Sequence, residues 1–85
     1  MDTIGIIGFG RFGKVLAQIL STSYSIIIHD PQYKGMEFPH KTLEEVLNCE
    51  IVFIAVPIRE FENTVKSISQ YNMYTTTIID VCSVK

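Results

Sequence analysis

The sequence predicts an α/β fold, a parallel sheet with helices on both of its faces. Two observations carry this. Continuous β-branched runs alternate with segments whose apolar residues recur at i, i+3 and i+4, and glycine or proline closes each of the first three β-branched runs. A strand-helix repeat of this kind is joined by right-handed crossovers.

Taken in chain order, Thr3 to Ile7 reads as a strand buried on both faces, since it has no polar alternation. Phe12, Val15, Leu16, Ile19 and Leu20 then form one apolar stripe on a helix from about Arg11 to Thr22, a stripe expected to face the core. Ser25 to His29 is a second buried strand, stopped at Asp30-Pro31 because proline lacks a ladder donor and biases its predecessor away from helix. Residues 31 to 41 read as the loose part of the chain. Thr42 to Glu45 has the form of a capping box, and Leu43, Val46 and Leu47 mark the buried side of a short helix. Ile51 to Val56 is the third strong strand, closed by Pro57. Phe61, Val65 and Ile68 define a helix from about Arg59 to Gln70, and a last strand runs from about Thr75 to Val81. Only about twenty residues separate Asp30 from Ile51, too few for a full additional helix and strand. A degenerate third strand, Lys34 to Phe38, is therefore expected at the edge, giving the order (3)-2-1-4-5 with a crevice where the order reverses beside the first strand.

The composition bounds the function. Eighty-five residues fit one domain, and a 47% hydrophobic, 19% charged chain with positive mean hydropathy has enough apolar surface to fold. A net charge of −2 argues against a nucleic-acid partner. No apolar stretch approaches the roughly 20 residues that cross a bilayer, and no basic leader precedes the first strand, so the expected location is cytoplasmic without a membrane partner. Cys49 and Cys82 stand at no metal-ligand spacing and read as buried thiols; no metal site is expected.

Gly8-Phe9-Gly10-Arg11-Phe12-Gly13 is a G-x-G-x-x-G between a strand and a helix. Gly8 allows the tight turn, Gly10 lets backbone approach a pyrophosphate, and Gly13 lets the helix pack closely on the strand. The first-turn N–H groups and the helix dipole would face the phosphates, with Arg11 lying along them. The plainer alternative is a glycine turn with no ligand. Asp30 ends the second strand 22 residues after Gly8, where a carboxylate can accept bonds from the adenosine ribose hydroxyls and would repel a 2′-phosphate. With Pro31 rather than an arginine beside it, NAD is expected over NADP. The plainer alternative for Asp30-Pro31 is a strand cap that starts a turn. His29 reads as a structural histidine, His40 as an exposed one, and Arg59, Glu60 and Glu62 as a solvated helix face.

Across all 85 residues the chain resembles the start of prephenate and arogenate dehydrogenases, whose dinucleotide-binding domain is Rossmann-like. Gly5 to Gly13 is similar to their opening strand and turn, and Ala55-Val-Pro-Ile58 resembles their fourth strand and its loop. Asp80-Val-Cys-Ser-Val-Lys85 is the most specific piece, resembling the family's D-x-x-S-V-K segment. The resemblance implies oxidative decarboxylation of prephenate or arogenate by hydride transfer to NAD(P)⁺, in tyrosine biosynthesis. It implies that Val56 and Pro57 lie against the cofactor, and that Ser83 sits near the nicotinamide end, orienting a histidine that lies further along the family's chains. Neither His29 nor His40 matches that histidine. The expectation is therefore a partial dinucleotide-binding domain over residues 1–85, ending after the fifth strand position and inactive on its own. Its open sheet edge would favour self-association. A second reading is a non-enzymatic NAD-sensing regulatory domain of the potassium channel or transporter type, whose opening segment is also similar. A third is another hydroxyacid- or imine-reducing enzyme sharing this half.

Overall fold

The computed structural model describes residues 2–71 and 76–81. Four strands are present: β1 (Thr3–Ile7), β2 (Ser25–His29), β3 (Ile51–Ile54) and β4 (Thr77–Asp80). They form one sheet in the order β2-β1-β3-β4, all parallel, with Ile4 opposite both Ile26 and Ile51, and Val52 opposite Ile78. The helices are α1 (Arg11–Leu20), α2 (Leu43–Val46) and α3 (Ile58–Ile68). Chain order moves outward from β1 to β2, returns past β1 to β3, and continues to β4. Right-handed crossovers then put α1 on one face of the sheet and α2 with α3 on the other.

Strand alternation divides the core accordingly. Ile4, Ile6, Ile26, Ile28 and Ala55 pack with Ala17 of α1 on one face. Ile7, Val52, Ile54 and Val56 pack with Val46, Leu47 and Ile68 on the other. Ile6, Ile28, Val52 and Val46 have no exposed surface, and each such side chain contributes on the order of 1.5–3 kcal/mol by leaving water. Gly5 in mid-strand has its own reason: a Cβ there would stand 2.6 Å from Val46 Cγ1, so its absence lets α2 sit close on β1. No helix among the described residues is long and apolar enough to cross a membrane.

Two expectations need correction. Lys34 to Phe38 is not a strand. The edge beyond β2 is a single parallel bridge between Ile28 and His40, in which the Ile28 N–H donates to Pro39 O and the Lys41 N–H to Ile28 O. Proline at residue 39 offers no N–H, and residues 34–38 instead loop around Tyr33, whose hydroxyl accepts from the Phe38 N–H at 3.1 Å. The segment read as loose is thus tied at both ends.

The second correction concerns α1. Phe12, Val15 and Ile19 are 51%, 47% and 63% exposed, and the buried residues are Gly13 and Ala17, flanked by the half-buried Leu16 and Leu20. The helix lies so close to the sheet that its small residues make the contact, which turns part of the apolar stripe outward. Gln18, on the opposite flank, reaches Glu37 in the loop beyond β2 at 3.4 Å. Cys49 is buried, and burial holds its thiol above the ordinary value, in the inert protonated form. Thr75, Cys82, Ser83 and Lys85 lie outside the described residues.

Candidate functional site

The three βα turns of a parallel sheet open on the same edge, and here they enclose a crevice of about 550 Å³. Ile7, Gly8, Ala55 and Val56 make its floor, and Pro57 closes the β3 end. His29, Asp30, Pro31 and Gln32 form one wall.

The other wall is the polar stripe of α3: Arg59, Glu60, Asn63, Thr64 and Ser67. Arg59, Glu60 and Glu62 are exposed, as expected of a solvated helix face, and Arg59 and Glu60 also line the crevice. The Thr64 hydroxyl donates to Glu60 O at 2.9 Å and the Ser67 hydroxyl to Asn63 O at 3.2 Å, so both are engaged with their own helix. Arg59, Glu60 and Asn63 supply the longer polar groups of that wall. The apolar side of the same helix, Phe61 and Ile68, goes to the core.

The glycine turn divides its labour among three positions. Gly8 has φ +96°, a left-handed conformation, and a Cβ there would stand 2.8 Å from Ala55 O. At Gly13 a Cβ would stand 2.5 Å from Gly8 O, which is what lets α1 start directly over the turn. At Gly10 a Cβ would meet nothing within 4 Å. Two of the glycines are required by the protein's own packing, whereas the third faces open space beside the crevice, where backbone can approach a ligand closely.

Gly10 is also the N-cap of α1. It provides no side-chain cap, the first turn carries no acidic residue, and the first N–H to find a helical acceptor is that of Lys14, on Gly10 O at 2.9 Å. The amides of Arg11, Phe12 and Gly13 precede it, and such groups at a helix start are donors without intrahelical partners, backed by the helix dipole. An anion is the partner this arrangement accepts best. A dinucleotide pyrophosphate fits these residues: open space at Gly10, free first-turn donors, and a carboxylate one βα unit away.

That carboxylate is Asp30. Its Oδ2 accepts from the Phe9 N–H at 2.7 Å and its Oδ1 from the Gln32 N–H at 2.9 Å. Phe9 itself turns its ring out of the crevice, edge-on to Tyr33 at 4.7 Å and to Phe38 at 5.9 Å. Phe12 is half-exposed and Arg11 exposed on α1, and neither lines the crevice. The two histidines buttress the β2 end. His29 donates from Nδ1 to Lys41 O at 2.9 Å, and His40 stacks on it with Nε2 within 2.9 Å of Asp30 O and 3.1 Å of Asp30 N. Among the described residues no group of three or more His, Cys, Asp or Glu gathers to hold a metal.

The structure of Plasmodium falciparum pyrroline carboxylate reductase with NADP bound is similar to this one, with a TM-score of 0.80 and 21% sequence identity. The likeness covers 96% of this chain and 32% of the reductase, so the chain spans about a third of that protein's length, and the likeness extends to the fold. No curated protein matches the chain. The family described as prephenate dehydrogenase, nucleotide-binding domain, matches residues 26–85, which takes in β2 from Ile26 onward, the crevice walls and the Asp80 to Lys85 segment. A match over more than two thirds of the sequence, on a four-stranded parallel sheet with an uncapped glycine turn, identifies the chain as a member of the prephenate dehydrogenase nucleotide-binding domain family.

Proposed function

We propose that the chain is the NAD-binding part of a dehydrogenase that oxidatively decarboxylates prephenate or arogenate, a step of tyrosine biosynthesis. The observation that carries the reading is the uncapped start of α1 next to open space at Gly10, with Asp30 on the wall of the same crevice. The Gly10 to Gly13 backbone would hold the pyrophosphate, Asp30 the adenosine ribose, and Val56 and Pro57 the stretch beyond it. Each Asp30 oxygen accepts one amide bond and retains a lone pair for a ribose hydroxyl. A 2′-phosphate would meet a carboxylate flanked by Pro31 and Gln32, neither of them cationic, which favours NAD over NADP. A bound nicotinamide dinucleotide supplies the hydride acceptor.

The role of Ser83 rests on its place in the Asp80-Val-Cys-Ser-Val-Lys85 segment. It would orient the histidine that polarises the substrate hydroxyl, a histidine that neither His29 nor His40 supplies, since both are bonded to backbone on the outer side of β2. The full reaction then needs residues beyond those of this chain.

Calorimetric titration of the 85-residue chain with NAD and with NADP tests the proposal. Binding of NAD, tighter than that of NADP, is expected. Tighter binding of NADP would overturn the preference argued from Asp30, and failure of both to bind would overturn the dinucleotide reading.

A further inference from the structure

Asp30 does more in this structure than offer a carboxylate to a ligand. Its side chain joins two segments that the strands alone leave apart: the glycine turn after β1 and the turn after β2. The 2.7 Å bond from the Phe9 N–H to Oδ2 is short, as expected when the acceptor is charged, and the 2.9 Å bond from the Gln32 N–H to Oδ1 fixes the other oxygen. A carboxylate held at both oxygens is fixed in rotation as well as position. Around it the same two turns meet twice more, through the Gly8 N–H on His29 O at 2.9 Å and through the Phe9 ring against Tyr33 and Phe38. Of these contacts the carboxylate bond is the one on the Gly8–Phe9 peptide, one residue before Gly10.

We infer that Asp30 is a positioning residue for the phosphate end of the site: its carboxylate latches the Phe9 amide and so sets the direction of the Gly10, Arg11 and Phe12 amides. This rests on the dinucleotide reading above and deepens it. The latch has a chemical consequence. The Phe9 N–H is spent on Asp30, so the phosphates are left to the first-turn amides of α1, and the turn is ordered before a ligand arrives rather than by it. A negative side chain close to an anion site works against the anion by charge; holding the turn is the compensating role, one that would persist for a ligand with no ribose hydroxyls.

That last point separates the latch from a simple grip on ribose. The 85-residue chain and its Asp30→Asn variant would be titrated with ADP and with 2′,3′-dideoxy-ADP, which keeps the diphosphate and lacks the diol. An asparagine has one acceptor oxygen and an amide that cannot accept, so it can keep only one of the two backbone bonds. The expected result is that Asp30→Asn weakens both ligands, dideoxy-ADP by roughly fivefold to tenfold, a loss of about 1–1.4 kcal/mol. Exchange of the Phe9 amide hydrogen with solvent should accelerate in the variant, by the same order, while that of a β1 amide such as Ile6 stays unchanged. If both Asp30→Asn and Asp30→Ala, which removes every acceptor, weaken ADP alone and leave dideoxy-ADP and Phe9 exchange as in the wild type, Asp30 is a ribose ligand only and the latch is wrong. Should the variant fail to fold, a scalar coupling across the hydrogen bond between the Phe9 amide nitrogen and the Asp30 carboxylate carbon decides the matter in the wild-type chain, and its absence overturns the proposal. If wild-type chain binds neither nucleotide, the dinucleotide reading falls, and the exchange and coupling measurements still support or overturn the latch by themselves.

Discussion

Two helices of this protein begin in opposite ways. At α2 the chain completes its own cap: Thr42 Oγ1 accepts from the Glu45 N–H at 3.2 Å, and the Glu45 carboxylate accepts in return from the Thr42 N–H at 3.0 Å. Two acidic residues, Glu44 and Glu45, stand in that first turn, where the helix dipole favours negative charge. At α1 there is a glycine for a cap, no side-chain acceptor and no acid, although the helix is more than twice as long. A short helix with a complete cap is there to support the sheet. A longer helix whose positive end has no side-chain cap suits the pyrophosphate that the proposed function puts there.

The largest test of this contrast breaks the turn on the α1 side. Gly13→Ala places a Cβ 2.5 Å from the Gly8 carbonyl oxygen and 3.3 Å from its carbon, both backbone atoms that cannot swing aside. A loss of about 3 kcal/mol is expected, a fall in Tm on the order of 15 °C by thermal denaturation followed by circular dichroism. A loss under about 1 kcal/mol would mean that α1 does not sit on the turn as closely as described.

A pair of milder changes sharpens the comparison, because each should move one quantity and spare the other. Gly10→Ala adds a methyl where nothing lies within 4 Å, so stability should change by only about 0.5 kcal/mol, while ADP affinity should fall roughly tenfold as the methyl takes the place of an approaching phosphate. Thr42→Ala should do the reverse, costing about 1 kcal/mol of stability through the lost cap and leaving ADP affinity within about twofold. Equal effects of both substitutions on binding would erase the distinction between the two helix starts.

The smallest expected effect is a pH dependence of the α2 cap. The backbone and hydroxyl bonds from Thr42, aided by the Lys41 charge, hold the Glu45 carboxyl below its ordinary value of 4.5. Folding therefore favours the ionised form. The contribution is present above the unfolded-state value and is lost as pH falls below 4.5 and through the lower folded-state value. Melting temperatures taken across that interval should fall less in Glu45→Gln than in the wild-type chain. The Glu45 side chain is fully exposed, which keeps the difference small.

The sheet and the glycine turn were legible in the sequence because each rests on a local signal. A β-branched run bounded by glycine or proline places β1, β2 and β3 within two residues, and the Thr42 to Glu45 spacing yields the α2 cap bond for bond. The face of α1 was misread for a reason of scale. Apolar periodicity weighs Phe12 and Ile19 above Gly13 and Ala17, yet a helix lying this close to a sheet makes contact through its smallest residues. The α3 wall was missed because polar residues read as facing solvent, and a ligand crevice is polar too. Glu60, Asn63, Thr64 and Ser67 recur at i, i+3, i+4 and i+7 beside the Phe61 and Ile68 face, a second stripe that could have been noticed. The double engagement of Asp30 by Phe9 and Gln32 had no sequence signal, since it depends on where two turns meet.

One consequence follows from the strand order β2-β1-β3-β4. β1 is an interior strand, and both of its neighbours are made after it, the second only once Ile54 has been synthesised. Until then one side of β1 has no ladder, and the nascent chain holds a half-built sheet whose closure requires contacts across some fifty residues. Such non-local pairing slows folding, so the sheet should close only after β3 has been made, in a step that joins β1 to β3 and brings the two ends of the crevice together.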